Sequence, residues 1–221
     1  MSAISSVLLD LYDTLAWTEW PAMRGEIERR LGISEADLLR AFIETNAARG
    51  LGTFGSLEGD LRAVLEAAGV RAEAATIREL AERTEAFLAN GVHLWDDSIP
   101  TLRELRSRGI RTAIVSNCDH ATRGVVERLG LEEEADAVIL SFEVGMAKPD
   151  AGIYLAALEA LGFGPDEALF VDDQVAYCDG AASLGVRTAL LVREDTSPPG
   201  GADGPGGHRV IQDLRALVEL L

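Results

Sequence analysis

Lysine is almost missing from this 221-residue chain: it occurs once, at Lys148, against 19 arginines. A codon preference for arginine explains the bias, yet it leaves Lys148 as a position where the chain keeps an ammonium rather than a guanidinium. Cysteine occurs only twice, at Cys118 and Cys178, which excludes a disulfide-stapled secreted scaffold and fits a reducing compartment. Positive charge is scarce as well. The chain carries 37 acidic side chains against 20 basic ones, a formal charge of −17. Such a surface repels phosphate backbones and anionic lipid, so neither nucleic acid nor a membrane is an expected partner. An anionic substrate would need a local cluster of positive charge. No apolar run approaches the roughly 20 residues of a membrane span. The opening MSAISSVLLDLYDTL lacks a basic leader, and Asp10 breaks its apolar run, so it does not read as a signal peptide. A cytoplasmic protein is expected.

What is present is ordinary globular material, with 48% hydrophobic and 26% charged residues, enough for one good core and a smaller second module. Short apolar runs at Ser6–Leu9, Arg111–Val115, Ala137–Leu140, Ala168–Val171 and Thr188–Val192 lack strict alternation, as strands buried on both faces do. Amphipathic segments follow them: Ser98–Arg108, with Ser98 as cap and Pro100 in the first turn, then His120–Leu129, Pro149–Leu161 and Gly180–Leu184, each ending at a glycine. This alternation predicts an α/β fold, a doubly wound and mostly parallel sheet with ligands at the carboxyl ends of its strands. Residues 17–91 interrupt it with four helical segments, Ala22–Leu31, Glu35–Ala48, Leu57–Ala68 and Ala72–Ala89, the second capped by Ser34 with Asp37. Four consecutive helices exceed one crossover, so residues 17–91 read as a helical cap over a core formed by residues 1–16 and 92–221. Asp195–His208 reads as a surface loop, and Ile211–Leu221 as a terminal helix.

Polar residues gather at the ends of these strands: Asp10, Tyr12, Asp13 and Thr14 after the first, Ser116 and Asn117 after the second, and Asp172 with Asp173 after the fourth. Lys148 sits on the third crossover. A lone aspartate after a strand is most often a helix cap, but four such groups in order, each at a strand end or on the loop beyond it, form a coherent set. Asp10, Asp172 and Asp173 crowd three carboxylates together, an arrangement that calls for a cation. Hard oxygen ligands favour Mg²⁺. Ser116 and nearby backbone N–H groups suit an oxygen of a phosphoryl group, and Lys148 suits neutralisation of nucleophile and substrate. Attack by Asp10 on phosphorus would give an aspartyl-phosphate that water then hydrolyses.

The segments VLLDLYDTL, AIVSN, GMAKPDAGIY and LFVDD with the following GAASLGV resemble the haloacid dehalogenase-like hydrolases, in the branch with a helical cap inserted after the first strand. The resemblance spans almost the whole chain. It implies Asp10 as nucleophile, Thr14 and Ser116 as motif hydroxyls with Asn117 beside them, and Lys148 as the motif lysine. It implies a Mg²⁺ set of Asp10, Tyr12, Asp172 and Asp173. Two positions depart from the phosphatase pattern. Tyr12 stands where family phosphatases carry a second aspartate for acid–base work, and a phenol is a poor proton carrier at neutral pH. Tyr177 stands where metal-using relatives often carry Asn or Asp.

Three readings follow. The first is a Mg²⁺-dependent phosphatase of a small phosphorylated metabolite. The second is a metal-independent dehalogenase of 2-haloacids, since dehalogenases of the family also carry tyrosine at the position of Tyr12; Asp172 and Asp173 argue against it. The third is a catalytically degenerate member that binds a ligand or partner through the cap groove; in the enzymatic readings the partner is a small anionic substrate. Tyr154 fits the first two equally. Phosphonate cleavage through a cap lysine is excluded, because residues 17–91 contain none. Cys118 near His120 could suggest a thiol nucleophile, but a buried bystander is the simpler reading. Arg24, Arg40 and Arg49 are candidates for holding a substrate anion. Trp17, Trp20 and Trp95 lie near the expected hinges, where packing at the junction is the simpler role.

Overall fold

The run Ser6–Leu9 (β1) is buried at all four positions, and its residues divide between two cores. Val7 and Leu9 join one apolar cluster, Leu8 the other, because successive side chains on a strand point to opposite faces. A strand with two dry faces belongs in the middle of a sheet. The computed structural model, which describes residues 3–19, 31–193 and 205–221, places it there.

The other strands are Ala16–Thr18 (β2), Val92–Leu94 (β3), Arg111–Ser116 (β4), Ala137–Leu140 (β5), Ala168–Asp172 (β6), Arg187–Leu191 (β7) and Arg209–Ile211 (β8). Six of them form one sheet in the order β5-β4-β1-β6-β7-β8, and every pairing in it is parallel. The chain runs outward from β1 through β4 to β5, then returns to the other side of β1 at β6. The strand order therefore reverses at β1, and the crevice beyond β4, β1 and β6 is where such a sheet binds ligands. The α/β, doubly wound expectation is met.

Among the described residues, three helices intervene between β2 and β3: Glu35–Gly50 (α1), Leu57–Ala67 (α2) and Ala74–Gly91 (α3). They share an apolar cluster of their own, including Leu38, Ala41, Leu61, Val64, Ile77 and Leu80. Ser34 accepts from the Asp37 N–H at 3.2 Å, the expected cap. The first expected helix, Ala22–Leu31, falls almost wholly outside the described residues, as do Trp20, Arg24 and most of the Asp195–His208 loop. Among the described residues, no helix is long and apolar enough to cross a membrane.

The sheet is covered on one face by Ser98–Ser107 (α4) and Thr122–Arg128 (α5), whose Leu102, Leu105, Val125 and Val126 join the Val7 cluster. Leu131–Glu134 (α6) and Ser141–Val144 (α7) are single turns. Ala151–Leu161 (α8) and Val175–Ala182 (α9) cover the other face through Ile153, Ala157, Cys178 and Ala181. Gly109, Gly130, Gly162 and Gly185 all take positive φ, the left-handed stop that ends a helix.

Several expectations need correction. Residues 16–18 and 92–94 form an antiparallel ribbon, Trp17 opposite His93, where only hinges were expected. The helix expected at Gly180–Leu184 begins at Val175, and Gly180 lies inside it. A Cβ there would come within 2.6 Å of the Pro149 carbonyl oxygen, so this glycine permits close packing rather than marking a boundary. Ile211–Leu221 is not an α-helix. It begins with the end of β8 and continues as a 3-10 turn, Leu214–Glu219, with Leu214 and Leu217 buried. Side chains three apart stack in that tighter helix. Ser98 does not cap α4; its hydroxyl donates to the Leu15 carbonyl at 2.7 Å.

The residue before it, Asp97, is fully buried. Its carboxylate accepts from Arg193 Nη1 at 3.0 Å and Nη2 at 2.9 Å, and from the Leu214 N–H at 2.8 Å. Arg193 Nη2 also donates to the Thr14 carbonyl at 2.6 Å. The loop after β1, the end of the ribbon and the C-terminal turn thus meet at one charge pair. Asp97→Ala would strand the guanidinium and is expected to destabilise the chain by roughly 3–5 kcal/mol, measurable by urea unfolding.

Candidate active site

Three neighbouring strands deliver the candidate residues. Asp10 follows β1, and its N–H continues the ladder to the Val171 carbonyl at 3.0 Å. Ser116 ends β4 and Asp172 ends β6. The register places Leu9 beside both Ile114 and Val171, so the three strand ends lie side by side.

Lys148 reaches this point from the loop after α7. Its ammonium donates to Asp10 Oδ1 at 2.5 Å and to Asp172 Oδ2 at 2.7 Å, and it is almost wholly buried. The rings of Tyr177 and Phe170 lie 4.9 and 5.6 Å from Nζ, a favourable setting for a cation. Tyr177, the second departure, therefore packs against the lysine. The Asn117 side chain fixes the Lys148 backbone from both sides. It accepts from the Lys148 N–H at 2.7 Å and donates to the Lys148 carbonyl at 2.8 Å.

One ammonium faces three carboxylates. Oxygens of Asp10, Asp172 and Asp173 all lie within 4.8 Å of one another. Two like charges at that separation repel by roughly 3–4 kcal/mol at an effective dielectric of about 20. Burial raises the Asp10 carboxyl to about 7, with Lys148 pulling it down only in part and Asp172 pushing it up. Burial also raises Asp172 to about 6 against the pull of Lys148. Asp173 rises to about 6 through burial and the charges of Asp10 and Asp13. Asp172 Oδ1 is already engaged by the Gln174 N–H at 2.8 Å, but Asp173 Oδ1 is buried without a partner. The charge count leaves about two negative charges uncompensated, and the free donors are hard oxygens. This set fits a divalent cation such as Mg²⁺.

Ser116 Oγ, at the end of β4, and Thr14 Oγ1, on the loop after β1, are among the other buried polar atoms without a partner among the described residues. Native interiors rarely leave hydroxyls unsatisfied except where a ligand or water completes them. The structure thus brings Asp10, Asn117, Lys148, Asp172 and Asp173 together, with Ser116 at the end of β4 and Thr14 on the loop after β1.

Tyr12 is different. Its hydroxyl pairs with Thr122 Oγ1 at 3.1 Å, and its ring packs against the core. Burial raises its pKa still further above the ordinary phenol value. Its hydroxyl is committed to Thr122 and, as a phenol, is ill suited to the neutral-pH proton transfer that a second aspartate would perform at this position. Asp13, next in sequence, takes a positive φ of 62°, a conformation that aspartate tolerates better than most.

Other expectations resolve in structural terms. Cys118 is buried and its thiol is pushed up to about 12 by desolvation, so it is no nucleophile. The Tyr154 hydroxyl donates to the Tyr177 carbonyl at 2.7 Å, anchoring α9 on α8. Trp17 and Trp95 do pack at the junction, with ring centroids 6.2 Å apart. Arg40 is exposed and pairs with Asp37 and Glu44 of its own helix. Arg49 is buried and committed to Asp119, Thr45 and the Phe42 carbonyl. Neither stands free for an anion.

Sequence reasoning missed the partners of that loop. Asp119 meets Arg49 of α1, and His120 meets Asp60 of α2, its Nδ1 lying 2.8 Å from Asp60 Oδ2. These residues are 70 and 60 positions apart, and no local pattern announces such pairs.

The model of the haloacid dehalogenase-like hydrolase family matches residues 4–185. Among curated proteins, the human haloacid dehalogenase-like hydrolase domain-containing protein 3 is 34% identical over 128 residues, 57% of this chain and 51% of that protein. Phosphatase MT3486 of Mycobacterium tuberculosis is 31% identical over 58% of this chain and 55% of its own length. The GMP/IMP nucleotidase YrfG of Escherichia coli is 32% identical, with 58% of each chain covered. The chain spans about half the length of the curated relatives it matches. Among solved structures, an HAD phosphatase from Thermococcus onnurineus superposes with a TM-score of 0.70 at 24% identity, covering 98% of this chain and 97% of that one. A 2-haloacid dehalogenase from Pseudomonas syringae pv. Tomato DC3000 gives 0.71 at 24% identity, with the same coverage. At such identity these two likenesses show the fold alone.

The raised carboxyls make a prediction about stability. Asp173 is pushed up to about 6 in the fold from about 3.9 in the unfolded chain, so the folded state holds its proton more tightly. Its ionisation then destabilises the metal-free fold increasingly as pH rises through that window. In EDTA, Asp173→Asn is expected to melt above the wild type at pH 8, with the difference shrinking at pH 5. Differential scanning fluorimetry at both values checks this; an equal or lower melting point at pH 8 would contradict it.

Proposed function

Because the chain belongs to the haloacid dehalogenase-like hydrolase family and is a hydrolase, we propose that it is a Mg²⁺-dependent phosphatase of a small phosphorylated metabolite. The observation that carries this reading is the charge imbalance at the strand ends, three carboxylates within 4.8 Å of one another against one ammonium. A 2-haloacid would add a fourth carboxylate there. A phosphate monoester arriving with a divalent cation would not.

In this reading Asp10 attacks phosphorus and the ester oxygen departs, leaving an aspartyl-phosphate that water hydrolyses. Lys148, held by Asn117, keeps Asp10 in place and faces the phosphoryl oxygens with a buried charge. Ser116 and Thr14 offer hydroxyls that have no partner among the described residues. Asp10, Asp172 and Asp173 would hold Mg²⁺, which when bound supplies charge neutralisation for the phosphoryl group. Residues 17–91 serve as the cap, with the ribbon of β2 and β3 as its stem, and shield the site from water. The phosphatase and the nucleotidase among the relatives support a phosphate ester as substrate. Two unbridged cysteines and the strong negative charge support a cytoplasmic protein acting on a small anion.

One observation favours a second reading. Tyr12 is tied to Thr122 and cannot exchange a proton near neutrality, and a halide leaving group needs none, so metal-independent dehalogenation is the alternative.

Hydrolysis of a generic aryl phosphate, with Mg²⁺ and with EDTA, separates the two. Turnover is expected only with Mg²⁺, and Asp10→Asn is expected to lower it by roughly 10³-fold or more. Turnover that survives complete chelation would contradict the proposal.

A further inference from the structure

The phosphatase reading leaves one chemical role unfilled. An ester of an ordinary alcohol departs only if its oxygen is protonated, and the Tyr12 hydroxyl is committed to Thr122. The chain has three histidines. His93 lies on the ribbon, exposed and paired with Glu19. His208 precedes β8, at the opposite end of the sheet, buried between Thr188 and Asp179. His120 alone lies beyond the carboxyl end of a strand at the site, four residues past Ser116, on the loop that also carries Asn117.

His120 is also oriented as a proton carrier requires. Asp60 Oδ2 lies 2.8 Å from Nδ1 and accepts the His120 backbone N–H at 3.3 Å. An ionised carboxylate only accepts, so the Nδ1 position carries a proton and Nε2 is left to exchange one. Nε2 makes no hydrogen bond among the described residues, and the side chain keeps 16% of its surface exposed. The ring packs on Phe142 with centroids 4.7 Å apart, which limits its rotation. Asp60 itself is 2% exposed and its second oxygen has no partner. A carboxylate so buried is costly unless its neighbour carries positive charge for part of the cycle. Beside this pair, Arg49 and Asp119 neutralise each other and hold the same loop.

Resting on the phosphatase reading, we propose that His120, oriented by Asp60 from the helical segment, carries the proton that the residue at position 12 cannot. As the Asp10 oxygen bonds to phosphorus and the ester P–O bond breaks, the imidazolium Nε2–H gives its proton to the departing oxygen. The Nε2 lone pair then takes a proton from the water that attacks the aspartyl-phosphate, releasing phosphate and restoring both Asp10 and the imidazolium. The balance is one ester and one water to one alcohol and one phosphate.

The test is His120→Asn, whose side-chain amide can replace the Nδ1–H donor to Asp60 while removing Nε2. It is assayed as kcat/KM on an alkyl phosphate and on an aryl phosphate whose phenolate leaves unaided. The alkyl ester is expected to lose about 10²–10⁴-fold and the aryl ester less than about threefold. Asp60→Asn, which keeps the shape and an acceptor oxygen, is expected to lose less, again on the alkyl ester only. Equal losses on both esters would mark His120 as a packing residue and overturn the proposal, as would no loss on either. A wild type inactive on both esters would overturn the phosphatase reading itself.

Discussion

Lys148 lies buried between Asp10 and Asp172, and the arrangement of the site depends on that contact. Without the ammonium, three carboxylates would share one desolvated crevice. With it, two of them are held in position and the third, Asp173, is left over. The fold supports the contact from several directions. β1 and β6 bring the two carboxylates side by side, Asn117 clamps the lysine backbone, and Tyr177 and Phe170 cover its charge. The position that keeps the chain's one lysine is the position where a compact ammonium fits between two carboxylates, a space that the broad fork of arginine would not match.

Much of this was legible in the sequence, for physical reasons. Strands buried on both faces must be apolar throughout, so Ser6–Leu9 and Ala168–Val171 stand out as uninterrupted runs, and glycine stops such as Gly162 mark helix ends because few other residues accept positive φ. The site residues follow those runs directly, which made Asp10, Ser116 and Asp172 easy to place. The rest was hidden where structure is not local. The three-residue strands of the ribbon are too short to show a period. Gly180 looked like a helix boundary because its reason, the approach of the Pro149 carbonyl, comes from the loop before α8. Asp60 and His120 meet across 60 positions, and only the packing of the helical segment on the β4 loop joins them.

The departures from the expected pattern are connected through that loop. Tyr12 pairs its hydroxyl with that of Thr122, at the start of α5, and so helps hold the loop in which His120 lies. A tyrosine that contributes no proton thereby helps position a histidine that can. The helical segment is then more than a cover: through Arg49 and Asp60 it places one charged pair against another on the loop that leaves Ser116, so docking of this segment and organisation of the site are coupled by contact.

The proposed chemistry needs the carboxylate cluster to hold a divalent cation, and binding measures that directly. Titration calorimetry of Mg²⁺ into the chelator-stripped protein should show one saturable site, abolished in Asp172→Asn. Heats that never saturate, or a site that survives that substitution unchanged, would contradict the claim.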